Sequence, residues 1–179
     1  MKIHRFVGIV LVLFIAYAVM AFMPYTLKKR SAQNFSLPDV HGKMISMQDF
    51  QGKILVLNFW ATWSGPSFRT IQELEKVNHE FSAENVQVIG IAVLSKEEMI
   101  PQRIKETGVT YPILLGEKSI IARYGNFSSI PNTFVIDRQG KIQAEIPGSY
   151  KASQISKIIK QILKDEDLNT QHSTKMVSD

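Results

Sequence analysis

Ser64 and Ser67 stand three positions apart in Trp63-Ser64-Gly65-Pro66-Ser67, after an apolar run and before a helical pattern. Side chains at that spacing share one face at a helix N-terminus, beside backbone N–H groups that favour negative charge. Hydroxyls gain little from this. The dipole contributes about 0.3–2 kcal/mol, far short of ionising a serine near neutral pH. A serine nucleophile also needs a general base. The four histidines (His4, His41, His79, His172) are scattered with no HExxH, and GxSxG is absent. A Ser64 hydrolase therefore lacks its motifs, and the simpler role for Ser64 is a helix N-cap with Ser67 in the first turn. The chain has no cysteine, which excludes disulfides, thiolate metal sites and a sulfur nucleophile. These residues imply no metal and no cofactor.

The elements that must position this pair follow from hydropathy. Residues 53–60 (KILVLNFW) form a nearly continuous apolar run, as in a strand buried on both faces. Phe68, Ile71, Leu74, Val77 and Phe81 then recur at spacings of three and four, predicting a helix opened by Ser64 and Pro66. Residues 86–93 read as a second buried strand, 96–107 as a helix ended by Gly108, and 111–115 as a short extended piece. Residues 119–124 read as a short helix. Residues 132–137 and 141–146 read as strands joined by a turn at Gly140. Upstream, residues 35–45 suggest a small hairpin turning at Gly42, and Ser46 with Asp49 has the form of a capping box. The last helix, 151–163, carries Ile155, Ile158, Ile159 and Ile162 on one face, and residues 164–179 read as a disordered polar tail.

Charge is divided along the chain. The first 30 residues hold Lys2, Arg5, Lys28, Lys29 and Arg30 and no acid, which accounts for the whole net charge of +5. The remainder is neutral, so the basic pI marks membrane flanks rather than a nucleic-acid surface. Residues 6–23, beginning at Phe6 and ending at Met23, are uncharged and long enough as a helix, about 27 Å, to cross a bilayer. A cleaved signal peptide, with Ala16-Tyr17-Ala18 as its small-x-small site, competes. The continuation of apolar residues to Met23 favours an uncleaved anchor. By the positive-inside rule alone, Lys28, Lys29 and Arg30 outweigh Lys2 and Arg5 and put the following domain in the cytoplasm. The expected organisation is an anchor with basic flanks (1–30), a linker (31–34), one α/β domain (35–163) and the tail.

The stretch LVLNFWATWSGPS resembles the NFWATWCxPC segment of the thioredoxin-like thiol–disulfide oxidoreductases (redoxins, related to AhpC/TSA). The membrane-anchored TlpA/ResA type, which includes cytochrome c maturation thioredoxins, is the closer match. FSLPDVHGKMISMQDFQGK and YGNFSSIPNTFVIDRQGKI resemble the same family's entry hairpin and cis-proline segment. The resemblance spans residues 35–163 and implies a thioredoxin fold: a central mixed sheet flanked by helices, with an N-terminal hairpin extension and, here, an N-terminal transmembrane helix.

It also implies site residues. Ser64 and Ser67 fall on the two redox-cysteine positions, Trp63 precedes them, Asn58 lies on the strand beneath, and Ile130-Pro131 matches the cis-proline dipeptide. In the family that loop offers the backbone of the residue before proline to a substrate peptide, a pairing that needs no sulfur. The expected function is a redox-inactive binding module for a client polypeptide or envelope protein, using Trp63, Ser64, Ile130 and Pro131. The alternative is a Cys-to-Ser form of an active oxidoreductase of cytochrome c maturation or envelope disulfide reduction. The expected location is the bacterial cytoplasmic membrane, single-pass, with the domain outside the cytoplasm. The expected contacts are the bilayer, through residues 6–23, and a polypeptide, with no nucleic acid.

Overall fold

The computed structural model describes residues 30–177; the apolar segment 6–23 and its basic flanks through residue 29 lie outside the described residues. Among the described residues no helix is long and apolar enough to cross a membrane. In chain order the elements are β1 (Ser36–Pro38), β2 (Met44–Ser46), β3 (Ile54–Trp60), α1 (Gly65–Glu80), β4 (Val86–Ala92), α2 (Ile100–Thr107), β5 (Ile113–Leu115), α3 (Lys118–Arg123), β6 (Asn132–Ile136), β7 (Ile142–Pro147) and α4 (Ala152–Val177).

Every residue of β3 is buried, because the strand is central and both its faces are covered. Its alternation divides the core. Ile54, Val56 and Trp60 pack against Ile71, Leu74 and Val77 of α1 and Ile155 and Ile159 of α4. Leu55, Leu57 and Phe59 face Ile120, Ile121 and Tyr124 together with Phe35 and Leu37 of the hairpin. The sheet order is β5-β4-β3-β6-β7. β4 is parallel to β3 and to β5, whereas β6 runs antiparallel to β3 and to β7. This is the mixed sheet of a thioredoxin-like fold. A parallel pair needs a long crossover, and α1 supplies it between β3 and β4.

Short-range signals act as the residue types require. Ser46 N–H donates to Asp49 Oδ2 at 2.8 Å and opens a 3-10 turn at Met47–Phe50. α2 begins later than its sequence pattern, after a 3-10 turn at Glu97–Met99, and ends at Gly108 (φ +68°), whose N–H reaches Ile104 O at 3.0 Å.

Two boundaries differ from the sequence reading. α4 does not stop at Leu163 with a disordered tail beyond it; the backbone stays helical to Val177. No Gly or Pro interrupts it, and a helix already nucleated by packing extends cheaply. Gln161 bonds Asp165 at 2.8 Å, and Glu166 pairs with Arg138 at 2.8 Å, fixing the turn just past the core. Arg138 also donates to Gly52 O (3.0 Å) and Glu84 O (3.4 Å), so one guanidinium gathers four segments at the base of the sheet. The 31–34 linker is likewise no free spacer. Ser31 bridges antiparallel to Lys141, Ala32 N–H donates to Gly140 O, and Ile142 N–H donates to Arg30 O, both at 2.9 Å.

Carboxylates hold α4 on α1. The Lys76 ammonium and then the Ala152 N–H keep the Glu73 carboxyl below its usual range. Lys160 and Ser156 do the same for Glu80. A depressed folded pKa means that the stabilisation is complete above the unfolded value of 4.5 and is lost as pH falls through the lower folded one. The urea midpoint is therefore expected to fall on acidification below about pH 4.5. A Glu73→Gln/Glu80→Gln variant should show a flatter acid limb, with solvent screening keeping the difference modest.

Candidate functional site

β3, running to Trp60, delivers the chain to the pole of the molecule where α1 begins and β6 starts. Thr62 N–H donates to Ser95 Oγ at 2.9 Å, and Ser95 Oγ donates to Val93 O at 3.0 Å, tying the loop after β3 to the loop after β4. Trp63 projects outward at 65% exposure, and its indole N–H donates to Leu94 O at 2.9 Å. Leu94 is itself 49% exposed and holds a φ of +51°. That left-handed conformation is uncommon for a leucine. The indole hydrogen bond and the Ser95 bridge maintain it, so two large apolar side chains stand side by side on this surface.

Ser64 caps α1. Its Oγ accepts from Ser67 N–H at 3.3 Å and donates to Ile130 O at 3.2 Å, across 66 residues of sequence. Ser67 is fully buried, and its Oγ accepts from Ala61 N–H at 3.3 Å. Both hydroxyls are thus engaged in holding backbone. His79, in the last turn of α1, is 15 positions from Ser64, about 22 Å along the helix axis, and pairs with Glu75. It cannot serve as base for Ser64.

Opposite the helix start, the Ile130–Pro131 bond is cis. Pro131 is buried and accepts from Gly148 N–H at 2.8 Å, whereas Ile130 is half-buried. The Ile130 N–H has no partner among the described residues. Trp63, Ser64, Ile130 and Pro131 therefore meet at one pole, with Ser67 beneath. Sequence reasoning missed Leu94 and Ser95, because nothing in Val93-Leu94-Ser95 signals a positive φ.

Below the pole, Asn58 is wholly buried and donates to Thr133 Oγ1 at 2.8 Å; that hydroxyl in turn bonds Tyr150 Oη at 2.7 Å. Asn58 Oδ1 has no protein partner, nor has Thr70 Oγ1. The chain of amide and hydroxyls links β3, β6 and the segment before α4 behind the site. It contains no acid–base group able to titrate near neutral pH, and the site above it has no thiol to serve.

The AhpC/TSA family matches this chain over residues 29–145. Among curated proteins, the Thioredoxin-like protein YneN of Bacillus subtilis is 34% identical, covering 76% of this chain and 85% of its own length. The Thiol-disulfide oxidoreductase ResA of the same organism is 30% identical over 69% of each. Among solved structures, a thiol:disulfide interchange protein of the thioredoxin family from Chlorobium tepidum superposes with a TM-score of 0.70 at 27% identity, over 76% of this chain and 97% of its own.

Proposed function

Since the chain belongs to the AhpC/TSA family and its relatives include thiol–disulfide oxidoreductases, we propose that it keeps the family's polypeptide-docking surface without the dithiol reaction. In this reading it is a membrane-anchored binding module. An extended segment of a client or envelope protein lies across the pole, between the Trp63–Leu94 pair and the Ile130-Pro131 loop. The observation that carries the reading is the unpaired Ile130 N–H beside a largely exposed Trp63. A backbone donor at a strand start, flanked by apolar side chains, is how an added strand is recognised. Main-chain pairing gives affinity without regard to sequence, and the Trp63–Leu94 shelf favours an uncharged side chain. Dithiol exchange needs a thiolate to attack and a second to resolve. Hydroxyls at positions 64 and 67 supply neither.

Calorimetry with a reduced, alkylated unfolded polypeptide tests this. Binding by the full chain is expected, and Trp63→Ala should weaken it about tenfold, as loss of an aromatic anchor does. Ser64→Ala keeps the Ile130 N–H and should retain binding. Absence of binding, or affinity indifferent to Trp63, would reject the proposal.

A further inference from the structure

The path of the chain at Arg30 bears on which polypeptides can reach this pole. β7 runs toward the site: Gly148, just past its end, bonds Pro131, and Ser149 Oγ donates to Pro66 O at 3.3 Å. The Ser31–Lys141 bridge is antiparallel, so the chain traced backward from Ala32 to Arg30 moves along β7 toward the same pole. That heading is fixed by side-chain contacts as well as by pairing. Arg30 Nη2 donates to Tyr124 O at 3.1 Å and lies 3.5 Å from Glu145 Oε2, with the guanidinium carbon 5.8 Å from the Phe134 ring centroid. Its guanidinium occupies the space a side chain at Gly125 would need: a Cβ there would fall 2.7 Å from Arg30 Nη1.

Six residues, 24–29, separate Arg30 from the apolar segment. Fully extended they reach about 20 Å. The five steps from Ile142 to Pro147 rise about 17 Å. The tether therefore just spans the distance from Arg30 to the site pole. The opposite arrangement requires a chain reversal, which takes about four residues and leaves about 7 Å. It also collides with α4. That helix passes Arg138 at Glu166 and continues as helix to Val177, about 16 Å further along its own axis. A bilayer held within about 7 Å of Arg30 would come up against that polar extension.

Resting on the anchor and docking readings above, we infer that the site pole faces the bilayer to which the chain is tethered, and that its partner is the juxtamembrane segment of a membrane-borne protein. Trp63 and Leu94 then stand at interfacial depth, where an exposed indole is well placed. A partner confined to the same membrane meets the site at an effective concentration far above its bulk value.

The only tryptophans are Trp60, buried, and Trp63, exposed, so the chain carries its own depth probe. The full chain would be reconstituted in phosphatidylcholine vesicles containing a lipid with a nitroxide on its headgroup. The expected result is co-flotation with the vesicles and selective loss of the Trp63 emission, read against Trp63→Phe. A Trp63→Phe/Gln139→Trp variant, reporting from the opposite pole, should keep its added emission. Quenching at Gln139→Trp instead of Trp63, or at neither, overturns the orientation. Failure to co-float overturns the anchor on which it rests, and neither result depends on whether peptide binds. For the partner class, the same polypeptide probe carrying its own apolar anchor in these vesicles should crosslink to the site at lower total concentration than the free probe. Equal crosslinking would reject the membrane-borne partner.

Discussion

Replacing Ser64 and Ser67 together by cysteine is expected to yield a chain that forms a reversible intramolecular disulfide. The parent has no sulfur with which to form one. The geometry favours closure. The two positions flank the first turn of α1, and Ser64 Oγ already lies 3.3 Å from the Ser67 backbone nitrogen, near enough for a modest adjustment to join two sulfurs there. The outer position is the N-cap, where first-turn N–H groups lower a thiol's pKa, and the inner one is fully buried beneath it. After equilibration in glutathione buffers and alkylation, mass analysis should show two blocked thiols under reducing conditions and none under oxidising ones. The midpoint should lie within the span of thioredoxin-like dithiols, roughly −120 to −270 mV. Ser64→Cys alone should stop at a mixed disulfide with glutathione, since the residue beneath it still offers only a hydroxyl. A double variant that forms no internal disulfide would mean that the frame has departed from a dithiol site by more than two atoms. Insulin reduction by the same variant extends the test from the bond to a substrate.

Phe134→Ala carries the largest expected loss of stability. Phe134 is wholly buried on β6, with ring centroids of Tyr124, Phe59 and Phe127 at 5.2, 5.8 and 5.9 Å and the Arg30 guanidinium above it. Truncation removes the ring all four contact and leaves a cavity that sheet and helix cannot collapse around. The expected cost is about 3–5 kcal/mol, set against a total of about 5–15 for a domain. Urea unfolding followed by tryptophan emission should show the midpoint fall with an unchanged slope. Phe134→Leu, which refills most of the volume, should lose only about 1–1.5 kcal/mol. If Ala and Leu behave alike, the aromatic cluster contributes little and the hairpin side of the sheet is held by other contacts.

Much of the frame was legible from residue order because local chemistry decides it. The run to Trp60 permitted one placement, buried on both faces. Ser64 and Pro66 marked the start of α1, Gly108 the end of α2, and Ser46 with Asp49 the turn before β3. What escaped the sequence depends on partners far along the chain. Residues 164–177 have no apolar face, so nothing local reveals that Arg138 secures Glu166 and carries the helix on. Residues 31–34 look like any polar linker, and only the edge of β7 gives them a place. Leu94 has an ordinary neighbourhood in sequence; its left-handed backbone is held by an indole 31 positions away. The meeting of Ser64 with Ile130 was suggested by the family resemblance and not by any pattern in the intervening residues.

The Ser64 hydroxyl also has a consequence for time as well as for affinity. It already donates to the Ile130 carbonyl, so in the docking proposed above a client strand seeking that acceptor would have to displace one hydrogen bond to make another. Such an exchange returns little net free energy, about 1 kcal/mol or less. The barrier to leaving is correspondingly low, because the hydroxyl closes over the carbonyl as the strand departs. Differences among related complexes are expressed mainly in how fast they come apart. A site whose own side chain competes with its ligand is suited to brief occupancy and repeated sampling, whereas a covalent mixed disulfide holds its partner until a second thiol releases it.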